Sequence, residues 1–114
     1  MPRTLPKGLR SLMSGERQFE TKGFEIGGPV CIGMRFRMGK AQFLVVKGRK
    51  GYLSSDALDL SKAEEAGDAA AVVGAASSFD ELFQKKVVAL TRKAERLGVR
   101  KGMGGREALA LLNS

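Results

Sequence analysis

The segment Arg100-Lys101-Gly102-Met103-Gly104-Gly105-Arg106 combines features that an anion needs: glycines that let a ligand reach the backbone, N–H groups opening a helix, and three cations. A phosphate or carboxylate held by Arg100, Lys101, Gly104, Gly105 and Arg106 is the chemistry it suggests. The order differs from the GxxxxGK[ST] of a P-loop, and no strong strand leads directly into it as in a dinucleotide fingerprint. Glycines that only shape a tight connection between helices would give the same pattern.

A second polar group is Ser54-Ser55-Asp56, followed by Asp59, at the end of an expected strand. Hydroxyls and carboxylates there could hold Mg²⁺ or orient a polar ligand, although Asp and Ser ahead of a helix are also ordinary caps. Cys31 shares a strand face with Arg35 and Arg37, whose guanidinium groups could lower a thiol pKa, but a lone strand cysteine also reads as a small buried apolar residue. Arg35, Arg37, Lys47, Arg49 and Lys50, beside Phe36, Phe43 or Tyr52, could form a basic face. Lys50-Gly51-Tyr52 starts like an RNA-binding motif, but Leu53-Ser54-Ser55 lacks the further aromatic positions. Only non-specific nucleic-acid binding is therefore expected.

Histidine is absent, which excludes Ser/His/Asp and Cys/His catalysis within one chain and any His-based zinc site. The single cysteine cannot close an intramolecular disulfide and no CxxC spacing exists for zinc or redox chemistry; no metal is assigned, and the sequence identifies no cofactor. No apolar run approaches the ~18 residues that would span a bilayer. Residues 1–17 show no signal-peptide pattern, so a cytoplasmic protein with no membrane partner is expected. The net charge of +8 is uneven: +2 over residues 1–20, +6 over 21–50, −6 over 51–82 and +6 over 83–114. That distribution suits an anionic small molecule or acidic partner.

The elements that must position these groups follow from periodicity. Residues 1–17 read as a basic N-terminal arm and 18–114 as one domain. Val30 to Met38 alternates, placing Val30, Ile32, Met34 and Phe36 toward the core and Arg35 and Arg37 elsewhere. Phe43 to Val46 reads as a strand buried on both faces, Tyr52 to Ser54 extends the meander, and Phe19 to Phe24 is an earlier strand. Ser61 with Glu64 matches a capping box closed by Gly67, Ala69 to Val73 reads as a strand, and Ser78 with Glu81 caps again. The longest helix is expected from there to Leu97, with a break near Gln84, and a last helix from Arg106 to about Leu112. The fold expected is α/β or α+β, a mixed sheet begun by a β-meander with about three helices packed mainly on one face.

Gly67-Asp68-Ala69-Ala70, Ser78-Phe79-x-Glu81-Leu82, Gly98-Val99 and Gly102-Met103-x-Gly105-Arg106-Glu107-Ala108-Leu109 together resemble the YunC-like family of small bacterial and archaeal proteins of unknown function. The resemblance covers roughly Phe19 to Leu112 and implies a compact α/β domain, with no activity attached. Similar proteins often carry a cysteine where this chain has Ser55, and a threonine or serine where it has Gly104.

Three functional classes follow. The first is a small anion- or metabolite-binding or interaction domain. The second is a histidine-independent enzyme with a polar centre near Ser55 and Asp56, and the third is a basic nucleic-acid-associated protein.

Overall fold

Alternating apolar residues and Gly-containing turns fold the first half of the chain into a meander. The computed structural model describes residues 19–114; the expected arm over residues 1–17 lies outside the described residues. Strands β1 (Phe19–Glu25), β2 (Val30–Met38), β3 (Ala41–Lys47) and β4 (Gly51–Ser54) pair antiparallel in chain order. Helix α1 (Leu60–Ala66) then carries the chain to β5 (Ala69–Val73), which pairs parallel with β4. After α2 (Phe79–Gln84), β6 (Val87–Leu90) adds antiparallel to β5, and α3 (Arg92–Arg96) and α4 (Gly105–Leu112) complete the domain. The six strands form one mixed sheet in sequence order, an α+β fold with four helices among the described residues. No described helix is long and apolar enough to cross a membrane.

The caps follow local chemistry. Ser78 accepts the Glu81 N–H, as the capping-box spacing leads one to expect, while Glu81 reaches one residue beyond the N-cap, to the Ser77 N–H. The first helix, however, is capped by Asp59 and not by Ser61: the Asp59 carboxylate accepts both the backbone N–H and the hydroxyl of Ser61, which holds its pKa below the usual carboxylate value. Gly67 ends that helix at a φ of 76°, where a side chain would be strained.

The expected long helix is instead two short helices around a strand. α2 does stop at Gln84, but Val87 to Leu90 is β6, because consecutive β-branched Val87 and Val88 favour a strand and the edge of β5 is there to pair with. Thr91 starts α3 afresh, its hydroxyl accepting the Ala94 N–H.

The facing of β2 is the reverse of the expectation. Val30, Ile32 and Met34 are 56, 49 and 38% exposed, while Cys31 and Gly33 are buried. Alternation defines two faces without saying which one a helix covers. Here the small residues decide: a Cβ on Gly33 would lie 2.7 Å from the Phe24 ring and 2.8 Å from Phe79, so α2 approaches only over that side. Phe24 meets Phe79 and Phe83 edge-on, with centroids 5.1 and 5.0 Å away. Leu44, Val46, Leu53, Ala71 and Val73 line the same side of the sheet under Leu82, Leu109 and Leu112 of α2 and α4. β3 is correspondingly buried on one face only, with Phe43 and Val45 half-exposed. Ala63, Ala70 and Val72 are buried outside this core, where α1 covers the opposite side of β5.

Leu44, fully buried at the centre of the sheet, should lose about 2–5 kcal/mol on replacement by Ala in urea unfolding. A loss below about 0.5 kcal/mol would contradict this placement. Cys31 is buried with its thiol donating to the Phe24 carbonyl at 3.2 Å, and burial pushes the thiol above its ordinary 9.0, outweighing backbone hydrogen bonds that lower it. The thiol should therefore react with an alkylating reagent only after unfolding. The folded state holds this proton more tightly than the unfolded state, so its contribution is fully present below the unfolded pKa and fades as pH rises above about 9. A pH series of urea unfolding that gained stability through that range would contradict the assignment.

Candidate functional site

The Gly-rich loop is spent largely on the edge of the sheet. Gly102 N–H donates to the Val87 carbonyl, Val87 N–H to Met103 and Gly105 N–H to Lys85, each at 2.8 Å, so residues 102–105 cover β6 as a short bridged strand would. Gly102 needs its φ of 92° for this path, and a Cβ on Gly105 would strike the Leu82 carbonyl of α2. Gly104 is the N-cap of α4 without a side-chain cap, and Arg106 is the exposed second residue of that helix. Arg100 instead donates to the carbonyls of Glu95 and Val99 at 3.0 Å, and with Lys101 it lines a separate recess beside Arg92 and Glu95. Thus Arg100 and Lys101 converge, while Arg106 does not line that recess.

The polar segment after β4 also divides. Ser54 and Ser55 are fully buried: Ser54 donates its hydroxyl to the Leu44 and Ser55 carbonyls, and Ser55 Oγ accepts the Leu44 N–H at 3.3 Å. These hydroxyls finish the β3–β4 pairing where the ladder runs out. Asp56 faces solvent, on a cleft of about 450 Å³ shared with Lys40, Gln42, Ser77 and Glu81 at the carboxyl ends of the parallel strands. Neither Gly104 nor Arg106 lines it.

The five expected basic residues are split by the sheet. Arg35 projects from the helix-covered side, pairing with Glu20 at 3.1 Å and donating to Gln42, and Arg37 shares its parity. Lys47 projects from the other side and meets Arg49 and Lys50 at the opposite end of the sheet.

That end brings four cations together. Lys47, Arg49 and Lys50 from the β3–β4 turn and Lys93 from α3 surround a recess of about 180 Å³, with Tyr52 and Asp68 in its wall. Asp68 enters because β5 runs parallel beside β4, and Lys93 because Thr91 hydrogen-bonds the backbone of Asp68 and Ala70. Tyr52 donates its hydroxyl to Asp68 at 2.9 Å. Burial, then that carboxylate, raises the phenol above its ordinary 10.0 and keeps it protonated. Among the described residues none of the four cations makes a salt bridge or donates a side-chain hydrogen bond. Turn amides do not face the recess as donors: Arg49 N–H goes to Asn113 Oδ1 and Lys50 N–H to the Leu112 carbonyl. Lys93 and Asn113 were not singled out by sequence; Asn113 carries a signal, since Asn directly after the last apolar helical residue is a common C-cap.

Comparison with known proteins agrees on family and fold. Residues 56–112 match the family model described as a domain of unknown function, DUF1805. The uncharacterized protein YunC of Bacillus subtilis is 34% identical over 77 residues, covering 64% of this chain and 76% of its own. The crystal structure of a protein of unknown function, TA1206, from Thermoplasma acidophilum superposes with a TM-score of 0.79 at 28% identity, over 83% of this chain and 93% of that one. Half of the chain falling within the family's pattern, together with a relative spanned over most of its length, leads to one conclusion: the chain belongs to the DUF1805, YunC-like family.

Proposed function

We propose that this protein is a small anion-binding domain that takes the phosphate or carboxylate head group of a metabolite in the basic recess at the β3–β4 turn. The observation that carries this reading is the convergence of Lys47, Arg49, Lys50 and Lys93 with no ion-pair partner among the described residues. Four cations around one hollow outweigh the single negative charge of Asp68 and repel each other, and a bound anion relieves that repulsion. The one carboxylate present, Asp68, is engaged by Tyr52. A volume near 180 Å³ is below the roughly 300–1,000 Å³ of sites that enclose a whole small molecule, so the recess suits a head group with the remainder in solvent.

Recognition rests on exposed side chains, so affinity is modest and falls with salt. The same cations account for weak, sequence-independent attraction to nucleic acid. A histidine-independent enzyme centred on Ser55 and Asp56 has less support, because the Ser55 hydroxyl is buried against Leu44. Arg100, Lys101 and Arg106 remain a secondary anion-binding proposal, weaker because the Arg100 guanidinium already serves two carbonyls. A cytoplasmic setting, where phosphorylated metabolites are abundant, suits a chain whose single thiol is buried and unpaired.

A thermal-shift titration with inorganic pyrophosphate tests the reading. At about a hundredfold excess over Kd, binding should add roughly 2.7 kcal/mol of stability at low salt. The Lys47→Gln, Lys93→Gln double variant should lose most of that gain, whereas Arg106→Gln should keep it. An equal gain in the double variant, or none in the wild type, would refute the site.

A further inference from the structure

The two parallel strands send the chain to opposite sides of the sheet. From β4 it turns into α1, whose Ala63 is buried on the side of Ala70 and Val72, and from β5 into α2, whose Leu82 and Phe83 pack with Ala71 and Val73 on the other side. Where the connections of neighbouring parallel strands part in this way, a crevice opens beyond their carboxyl ends, and open α/β sheets bind ligands there. The cleft of about 450 Å³ that holds Asp56 lies at that point, between Asp56 and Ala57 on one loop and Ala75, Ala76 and Ser77 on the other. The second loop, Gly74-Ala75-Ala76-Ser77-Ser78, carries no side chain larger than serine and leaves the space open. The cleft falls within the roughly 300–1,000 Å³ of sites that enclose a small molecule.

We propose that this crevice binds a free α-amino acid. Its walls are set before a ligand arrives. The Ala75 carbonyl accepts a hydrogen bond from Lys85 Nζ and the Ser77 N–H donates to Glu81 Oε1 at 2.8 Å, so both contacts fasten the second loop to α2 and its C-cap. On the facing wall Arg35, itself held by Glu20, donates to Gln42 Oε1 at 3.1 Å. An arginine can only donate, so the amide oxygen must face it, and the Gln42 NH₂ is left with no acceptor among the described residues. The groups free for a ligand are then two acceptors, Asp56 and the second oxygen of Glu81, and two donors, Lys40 and the Gln42 NH₂.

This set of groups selects the ligand class. Two carboxylates outweigh the single charge of Lys40, which suits a cationic group with several donors, such as an ammonium. Among the described residues no group of three or more metal-ligating side chains gathers, and Lys40 repels a divalent ion more than a singly charged group, so an ammonium fits better than a metal. The donors on the β3 side answer a carboxylate. The small molecule that carries both groups is an α-amino acid. The basic recess at the other end of the sheet, where four cations face the single carboxylate of Asp68, has the opposite preference, and this inference does not rest on that reading.

Differential scanning fluorimetry of the full chain tests it, with each standard amino acid in turn as the probe at about 10 mM, where even a millimolar site is mostly filled. At least one should raise the melting temperature by several degrees, while its N-acetyl and methyl-ester derivatives, each lacking one of the two charges, should not. Asp56→Asn, at an exposed position, should weaken binding at least about tenfold by calorimetric titration. The Lys47→Gln, Lys93→Gln double variant should bind as the wild type does. If Asp56→Asn fails to fold by circular dichroism, the exposed Lys40→Gln decides by the same loss. No shift with any amino acid would overturn the proposal, as would undiminished binding by Asp56→Asn or equal binding of the two derivatives. Loss of binding in the double variant would overturn it too, by moving the ligand to the basic recess.

Discussion

Asn113, 1% exposed just beyond α4, ties the last helix to the β1–β2 and β3–β4 turns. Its amide nitrogen donates to the Ile26 and Pro29 carbonyls at 2.8 and 2.6 Å, and its amide oxygen accepts the Arg49 N–H at 3.0 Å. Both N–H donors and the carbonyl are occupied, so the geometry needs a side-chain amide: a carboxylate would face two carbonyls with no proton to give. These bonds bridge 87, 84 and 64 residues of sequence and fasten both turns at one end of the meander to the last helix.

Close backbone approach makes the fastening possible. A Cβ on Gly48 would lie 2.8 Å from the Leu112 carbonyl, and one on Gly28 would collide with the Asn113 carbonyl. The small residues therefore set where α4 ends, and α4 in turn fixes the β3–β4 turn that carries Arg49 and Lys50. The basic recess inherits its shape from this contact on one wall and from the parallel β4–β5 pair on the other. The shape of that end of the molecule is thus a consequence of how α4 packs against the two turns.

Much of the fold was legible in the sequence where the signal was local. The bounds of β2, the strand at Ala69 to Val73, the Ser78–Glu81 cap and the stop at Gly67 all follow from side-chain chemistry within a few residues. The family resemblance was carried by the C-terminal glycine and Arg-Glu-Ala-Leu pattern, which falls within the matched stretch. Facing was not legible, because Val30 to Met38 has two self-consistent faces and the choice lies with Phe79, distant in sequence, fitting over Gly33. Val87 to Leu97 misled because Val87, Leu90, Ala94 and Leu97 satisfy a helical period while Val87 to Leu90 answers to the open edge of β5. The recess was half visible: the Lys47 to Lys50 turn reads as basic, but Lys93 and Asp68 join it only through the parallel crossover.

Amide hydrogen exchange in Asn113→Ala, alongside urea unfolding, tests most directly whether the terminus holds the basic turn. Losing three hydrogen bonds should cost about 2–4 kcal/mol, and the Arg49 and Lys50 amides should exchange faster by a larger factor than the Leu44 amide in the middle of the sheet. A stability loss under about 0.5 kcal/mol with Arg49 and Lys50 as protected as before would contradict the account.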